Sequence, residues 1–136
     1  MTFETVGKAL AHDSAELHVQ GNAVYIDDMR EPDGTVHLAP GYAKVGARGK
    51  ITKLDLSSVR AAAGVITVLT AADIPYKNDC SPTVGDDPIL ANGKIEFHGQ
   101  VIFAVVAETR DAARRAVLLA KIEIAQVPPR SPCMTL

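Results

Sequence analysis

Residues 101–107 read Val-Ile-Phe-Ala-Val-Val-Ala, an apolar run of seven that is apolar on both faces of any strand it forms. Such a strand cannot border water on either side, so it requires a layer of structure above it and another below. At seven residues it is also far short of the roughly 20 needed to cross a bilayer. The sequence supplies a cover immediately afterwards. Thr109 is placed to cap a helix from Arg110 to about Lys121, along which Ala112, Ala113, Ala116, Val117 and Ala120 recur at helical spacing. Small side chains on that stripe allow helix and sheet to approach closely, while Arg110, Arg114, Arg115 and Lys121 fall mainly on the other faces. Val101–Ala107 is therefore expected to be the central strand, with the Ala112, Ala116, Val117 and Ala120 face packed on it.

The remaining segments are short and mostly β. Residues 1–22 are polar and irregular and read as an extended N-terminal arm, in which His12-Asp13-Ser14 favours a short helical turn and Gly21-Asn22 a reversal. Ala23–Ile26 reads as a strand closed by Asp27-Asp28, and Pro32-Asp33-Gly34 as a turn. Thr35–Leu38 alternates as a strand until Pro40-Gly41 interrupts it, and Ile51–Leu56 forms the next. Ser57 is expected to cap a helix over Ser58–Ala63, with Gly64 in the left-handed position past its end. Val65–Leu69 is a β-branched strand, after which Thr70 caps a single turn over Ala71–Asp73 that Pro75 stops. Residues 76–93 have no sustained period and carry Asp86-Asp87 on a long loop. Lys94–Phe97 and Gln100–Ala107 are strands meeting at His98-Gly99, and Ile122–Val127 is the last strand before Pro128-Pro129. The resulting division is an arm over 1–22, an α+β domain over 23–127 and an atypical Pro-rich tail over 128–136.

Charge and composition exclude several function classes. Fourteen Lys and Arg against sixteen Asp and Glu give a net charge of −2, too little positive field to hold a nucleic-acid backbone or an anionic membrane. With no Trp, three Phe and three Tyr, the chain also lacks platforms for stacking bases. Cys80 and Cys133 are too few for a disulfide framework and lack the C-x-x-C spacing of zinc or redox sites. The first ten residues show no signal-peptide pattern, so a soluble cytoplasmic protein is expected.

A search for catalytic chemistry returns little. Gly41–Lys50 is rich in glycine, but Gly46 is followed by Ala47 and Lys50 by Ile51, which breaks the phosphate-loop pattern and leaves a bulged strand connection. His12 and His18 share no helical face, and His37 and His98 are isolated in sequence. Asp27-Asp28 and Asp86-Asp87 are adjacent pairs that suit turn caps better than a shared-proton dyad. Cys80 has no sequence neighbour that would activate its thiol, and there is no G-x-S-x-G elbow. No catalytic, cofactor-binding or metal-ligating residue is expected in this chain.

Several ordered stretches nevertheless resemble one family. They are Gly21-x-Ala23-x-Tyr25-Ile26-Asp27-Asp28, Ile51-x-x-Leu54-Asp55-Leu56, Val59-Arg60-Ala61-Ala62-x-Gly64-Val65, Val68–Pro75, Asp87–Ala91, His98-Gly99-Gln100 and Val105–Thr109. Together they resemble the N-terminal domain of the large, molybdopterin-binding subunit of bacterial xanthine dehydrogenases, within the wider xanthine dehydrogenase and aldehyde oxidase family. The resemblance implies an α/β hammerhead, an α+β fold of short twisted mixed or antiparallel sheets with two main helices. It implies a supporting role, with molybdopterin, 2Fe-2S and FAD held by other regions or subunits and none by this chain. The implied partners are the rest of the molybdopterin subunit and an iron–sulfur and flavin subunit; the alternative is a detached hammerhead reused as an interaction module, with the 76–93 loop and the Pro-rich tail as its contact surface. An isolated domain of this kind, with unpaired strand edges and exposed apolar surface, is expected to form a homo-oligomer.

Two departures stand out. Tyr42–Gly46 replaces a Ser-Pro element and carries one additional residue. The tail from Pro128 does not follow the family pattern, but the codons for Pro128–Thr135, read from their third bases, permit the family-like Pro-Ala-Ile-Ser-Leu-His-Asp-Ala. A frameshift or a truncation at this point is the expectation.

Overall fold

The seven-residue apolar run lies where its composition requires, in the middle of a sheet. In the computed structural model, which describes residues 6–45 and 48–128, residues through Asp33 form one compact unit and those from Gly34 a second.

The first unit holds helix α1 (Ala15–Gln20) inside the stretch read as an extended arm. Gly21 ends it at φ 72°, and its amide donates to the His18 carbonyl at 3.2 Å, so the expected reversal at Gly21 closes a helix. Ala23–Ile26 is not a strand. Asp28 Oδ2 accepts the Tyr25 amide and the Tyr25 carbonyl accepts the Asp28 amide, both at 3.0 Å. This closes a single 3-10 turn over Ile26–Asp28 instead of leaving those groups for a ladder.

The second unit runs β1 (His37–Tyr42), β2 (Arg48–Asp55), α2 (Ser57–Arg60), β3 (Val65–Thr70), β4 (Lys94–Ile95), β5 (Val101–Ala107), α3 (Arg110–Val117) and β6 (Lys121–Val127). Its strands make two three-stranded sheets, β1-β5-β3 and β4-β2-β6, with every pairing antiparallel. The fold is thus α+β, and the expected mixed or antiparallel sheets are antiparallel. On β5, Ile102, Phe103, Ala104, Val105 and Ala107 are buried, as a strand apolar on both faces must be. Ile102, Phe103 and Val105 join Val68 of β3, Ile95 of β4 and the half-buried Ile51, Leu54, Ile122 and Ile124 of β2 and β6 in one core, while Ala107 packs with Ala39 of β1 and Ala113 in a second cluster.

The strand read as ending before Pro40 continues through Pro40 and Gly41. Proline removes a ladder donor, which only an edge strand tolerates, and β1 is an edge. Gly41 faces Phe103 of β5 so closely that a Cβ there would overlap the Phe103 ring. The glycine therefore serves a close approach rather than an interruption, and a register shift between Gly41 and Tyr42 supplies the expected bulge. The other expected strand pair also resolves differently. β4 and β5 do not pair across His98-Gly99 but belong to different sheets, and Phe97 lies outside β4. The buried Gln100 holds this crossing, its Oε1 accepting the Glu96 amide at 2.8 Å.

Helix α2 starts at Ser57 itself, because Asp55 Oδ1 accepts from both the Ser57 amide (3.0 Å) and its hydroxyl (2.6 Å). It ends at Arg60 rather than Ala63, and Gly64 then turns the chain into β3 at φ 79°. Thr70 closes the Ala71–Asp73 turn as expected, with Asp73 Oδ2 accepting its amide and its hydroxyl at 2.7 Å each. Helix α3 packs on β1 and β5 through buried Ala113 and Ala116, with Ala112 and Val117 half-buried. It stops at Val117 rather than Lys121: the amides of Leu118, Leu119 and Ala120 each bond three residues back, tightening the chain before β6. Ala120 still reaches the core from beyond the helix end.

Thr109 performs the capping its position implies. Its Oγ1 accepts the Ala112 amide at 3.1 Å. Thr109→Ala should lower stability by about 1 kcal/mol, read as a drop in the urea midpoint at constant slope, with Thr109→Ser recovering most of it. Equal midpoints for wild type and Thr109→Ala would contradict the cap.

Candidate functional site

The structure disperses the residues weighed for chemistry. His12 and His18 do meet, although they share no helical face: His12 precedes α1, and its ring sits edge-on to His18 at 5.3 Å. Tyr25 adds a third ring, its hydroxyl 2.9 Å from His18 Nδ1. His12 Nδ1 accepts the Ser14 amide at 3.2 Å. His98 Nδ1 bonds the Val45 carbonyl at 2.5 Å and fastens that segment to the β4–β5 crossing, while His37 begins β1 opposite Ala107. No group of three potential metal ligands occurs among the described residues. Of the Gly41–Lys50 stretch, Gly46 and Ala47 lie outside the described residues, as do Cys133 and the tail from Pro129.

The 76–93 loop is organised by a residue that the sequence reading passed over. Asp79 accepts the Ser81 amide (3.2 Å), the Ser81 hydroxyl (3.3 Å) and the Asp87 amide (3.1 Å), and pairs with Lys77 Nζ at 3.1 Å. Asp87 contributes its backbone rather than its carboxylate, its carbonyl accepting from the Cys80 amide at 2.9 Å and from Cys80 Sγ at 3.4 Å. Asp86-Asp87 is therefore no dyad. Desolvation, then the Asp87 charge, pushes the Cys80 thiol up, away from reactivity. Asn78 closes the loop on its far side, donating to the Leu90 carbonyl at 2.7 Å and accepting its amide at 3.0 Å.

The Ser81 amide, foremost, and Lys77 hold the Asp79 carboxyl below the usual carboxylate range. A carboxyl with a depressed folded-state pKa contributes order that is fully present above its unfolded pKa of about 4 and lost as pH falls through the lowered value. The loop should thus be intact at neutral pH and loosen only in acid. Amide hydrogen exchange at Ser81 and Asp87, corrected for intrinsic rates, should accelerate on that acid side, and Asp79→Ala should show the fast exchange at pH 7. Unchanged exchange in Asp79→Ala would remove Asp79 as the organiser.

A concavity lies elsewhere. A cleft of about 770 Å³ opens between β1, the C-terminal half of α3 and β6. Its lining is mostly apolar, including Leu38, Phe103, Val117, Leu118, Ile122 and Ile124, and it contains no Asp or Glu. Leu38, Tyr42 and Leu118 keep 60%, 50% and 75% of their surface exposed there. The charged side chains on it are Lys44 and Arg114, and neither makes an ion pair among the described residues. No element in the sequence announces this cleft, because it is assembled from three segments distant along the chain.

An iron–sulfur cluster needs four thiolates, and Cys80 is the one described cysteine. Every buried side-chain polar atom among the described residues has a hydrogen-bond partner. No helix among them is long and apolar enough to cross a membrane.

Two antiparallel three-stranded sheets sharing one core, with α2 and α3 packed on the β1-β5-β3 sheet, define the α/β hammerhead architecture. Residues 20–128 match the family described as aldehyde oxidase and xanthine dehydrogenase, a/b hammerhead domain, and the chain belongs to that family. It is 32% identical to a xanthine dehydrogenase of Oryza sativa subsp. japonica over 123 residues, covering 90% of this chain and 9% of that protein. It is 37% identical to probable aldehyde oxidase 1 of the same organism over 134 residues, covering 93% of this chain and 10% of the relative. Among solved structures, the aldehyde oxidoreductase from Desulfovibrio desulfuricans superposes with a TM-score of 0.78 at 32% identity, over 90% of this chain and 15% of that one. The chain thus spans about a tenth of the length of the curated relatives it matches.

Proposed function

We propose that this chain is a structural and assembly domain of a bacterial molybdenum hydroxylase of the xanthine dehydrogenase type, without catalytic residues of its own. One observation carries the reading: the similarity takes in nine-tenths of this chain but only about a tenth of each relative, and the residues in that tenth build a core, a braced loop and an apolar cleft. In the whole enzyme, molybdopterin, 2Fe-2S and FAD belong to other regions or subunits, and the overall reaction is oxidation of hypoxanthine and xanthine to urate with water as the oxygen source. The partners of this domain are then the rest of the molybdopterin subunit and the iron–sulfur and flavin subunit, all in the cytoplasm. Removed from them, the domain self-associates through exposed apolar surface and unpaired strand edges.

Sequencing the DNA on both sides of the coding region tests this. The reading expects coding for a molybdopterin-binding region downstream, in any phase, and neighbouring genes for iron–sulfur and flavin subunits. Unrelated genes on both sides would overturn it in favour of a detached interaction module.

A further inference from the structure

We infer that the cleft between β1, α3 and β6 is a docking groove for an acidic, amphipathic polypeptide segment. This deepens the assembly reading by naming the chemistry of what the domain holds. Three observations converge on that occupant. The floor is apolar and partly uncovered: Leu38, Tyr42 and Leu118 are at least half exposed, and Val117, Ile122 and Ile124 are only half-buried. Its occupant must therefore bring apolar side chains.

The charge on the groove has one sign. Lys44 and Arg114 stand on it with no carboxylate among the lining residues and no ion pair among the described ones, whereas the neighbouring Arg115 is already paired with Asp111 at 2.9 Å. The complement is a carboxylate-bearing ligand, because a second cation there would be repelled and a purely apolar one would leave both charges beside a low-dielectric surface. The third observation selects a polypeptide over a small amphiphile. Both strands on the groove, β1 and β6, are sheet edges. The outer main-chain groups of β6, and those of β1 from Leu38 to Tyr42 apart from the donor that Pro40 lacks, can be matched by another backbone, which is how an extended segment adds to a sheet.

The test uses the full 136-residue chain and two synthetic eight-residue peptides, one alternating Glu with Val and the other Lys with Val. By fluorescence anisotropy, the Glu peptide is expected to bind at least tenfold more tightly than the Lys peptide. The Lys44→Glu/Arg114→Glu variant should reverse that order while keeping the wild-type Tm, since both side chains are exposed. In amide NMR spectra, the shifts caused by the Glu peptide should fall on Leu38–Tyr42 and Ile122–Gln126. Equal affinity for the two peptides, no binding of either, or shifts confined to other segments would overturn the proposal. So would laurate binding at the same residues more tightly than the Glu peptide, which would make the groove a site for small amphiphilic acids. None of these outcomes bears on the genes flanking the coding region, so this inference and the assembly reading fail separately.

Discussion

Phe103→Ala should lower the unfolding free energy by roughly 3–5 kcal/mol, while Arg114→Ala should change it by less than about 0.5 kcal/mol. Phe103 is fully buried at the centre of β5, between β1 and β3, and it is the largest side chain in the core. Removing its ring takes contacts from both sheets at once and leaves a cavity that two hydrogen-bonded ladders restrict from collapsing. Set against a total of about 5–15 kcal/mol for an ordinary domain, such a loss leaves a marginal fold. Arg114 is exposed on α3 and unpaired among the described residues, so its truncation removes little that folding had gained. Denaturant midpoints decide the matter: an arginine variant less stable than the phenylalanine variant would contradict the placement of β5 and α3.

Gly41→Ala should cost roughly 1–3 kcal/mol, the range for forcing an extra methyl into a packed interior. The sign carries the argument. In an ordinary strand, replacing glycine by alanine is favourable by about 0.5–1 kcal/mol, because the unfolded chain loses freedom. Gly41 is not in the left-handed region, so backbone strain plays no part. What opposes the change is the Phe103 ring, into which the new Cβ would project. The two sites must therefore couple: in a Phe103→Ala background the added methyl fills part of the vacated space, and the Gly41→Ala penalty should shrink or reverse. An unchanged penalty in that background would show that the glycine serves something other than this contact.

These two residues also mark how far the sequence could be read. The run Val101–Ala107, the Thr109 cap, the Thr70–Asp73 turn and the left-handed Gly64 are settled by neighbours a few residues away, and each is found where its local pattern places it. Pro40-Gly41 looks like a break for the same reason. Nothing nearby tells that β1 is an edge, where proline is harmless, or that Phe103, sixty-two positions on, occupies the space a side chain would need. The apparent strand at Ala23–Ile26 fails because Asp28 captures the Tyr25 amide before any ladder can. The assignment of β4 and β5 to separate sheets rests on non-local pairing, to which the His98-Gly99 reversal gives no clue.

The candidate surfaces follow the same division. The 76–93 loop is legible as a loop, but the paired aspartates at 86–87 drew notice while the organiser is Asp79, whose role depends on a bond to the Asp87 amide eight residues away. A carboxylate followed two residues later by serine is the local signal that could have found it. The cleft has no such signal, since Leu38, Arg114 and Ile124 come together only in the folded chain.

The proposal that this chain supports a molybdenum enzyme without holding its cofactors is tested most directly on the purified protein. Molybdenum and pterin content are measured by mass spectrometry and fluorescence after expression in a host that makes the cofactor, together with xanthine and hypoxanthine oxidation under an added electron acceptor. A folded chain free of molybdenum and pterin, with no purine turnover, is the predicted result. Molybdopterin bound in stoichiometric amount, or turnover that survives repurification, would contradict the account.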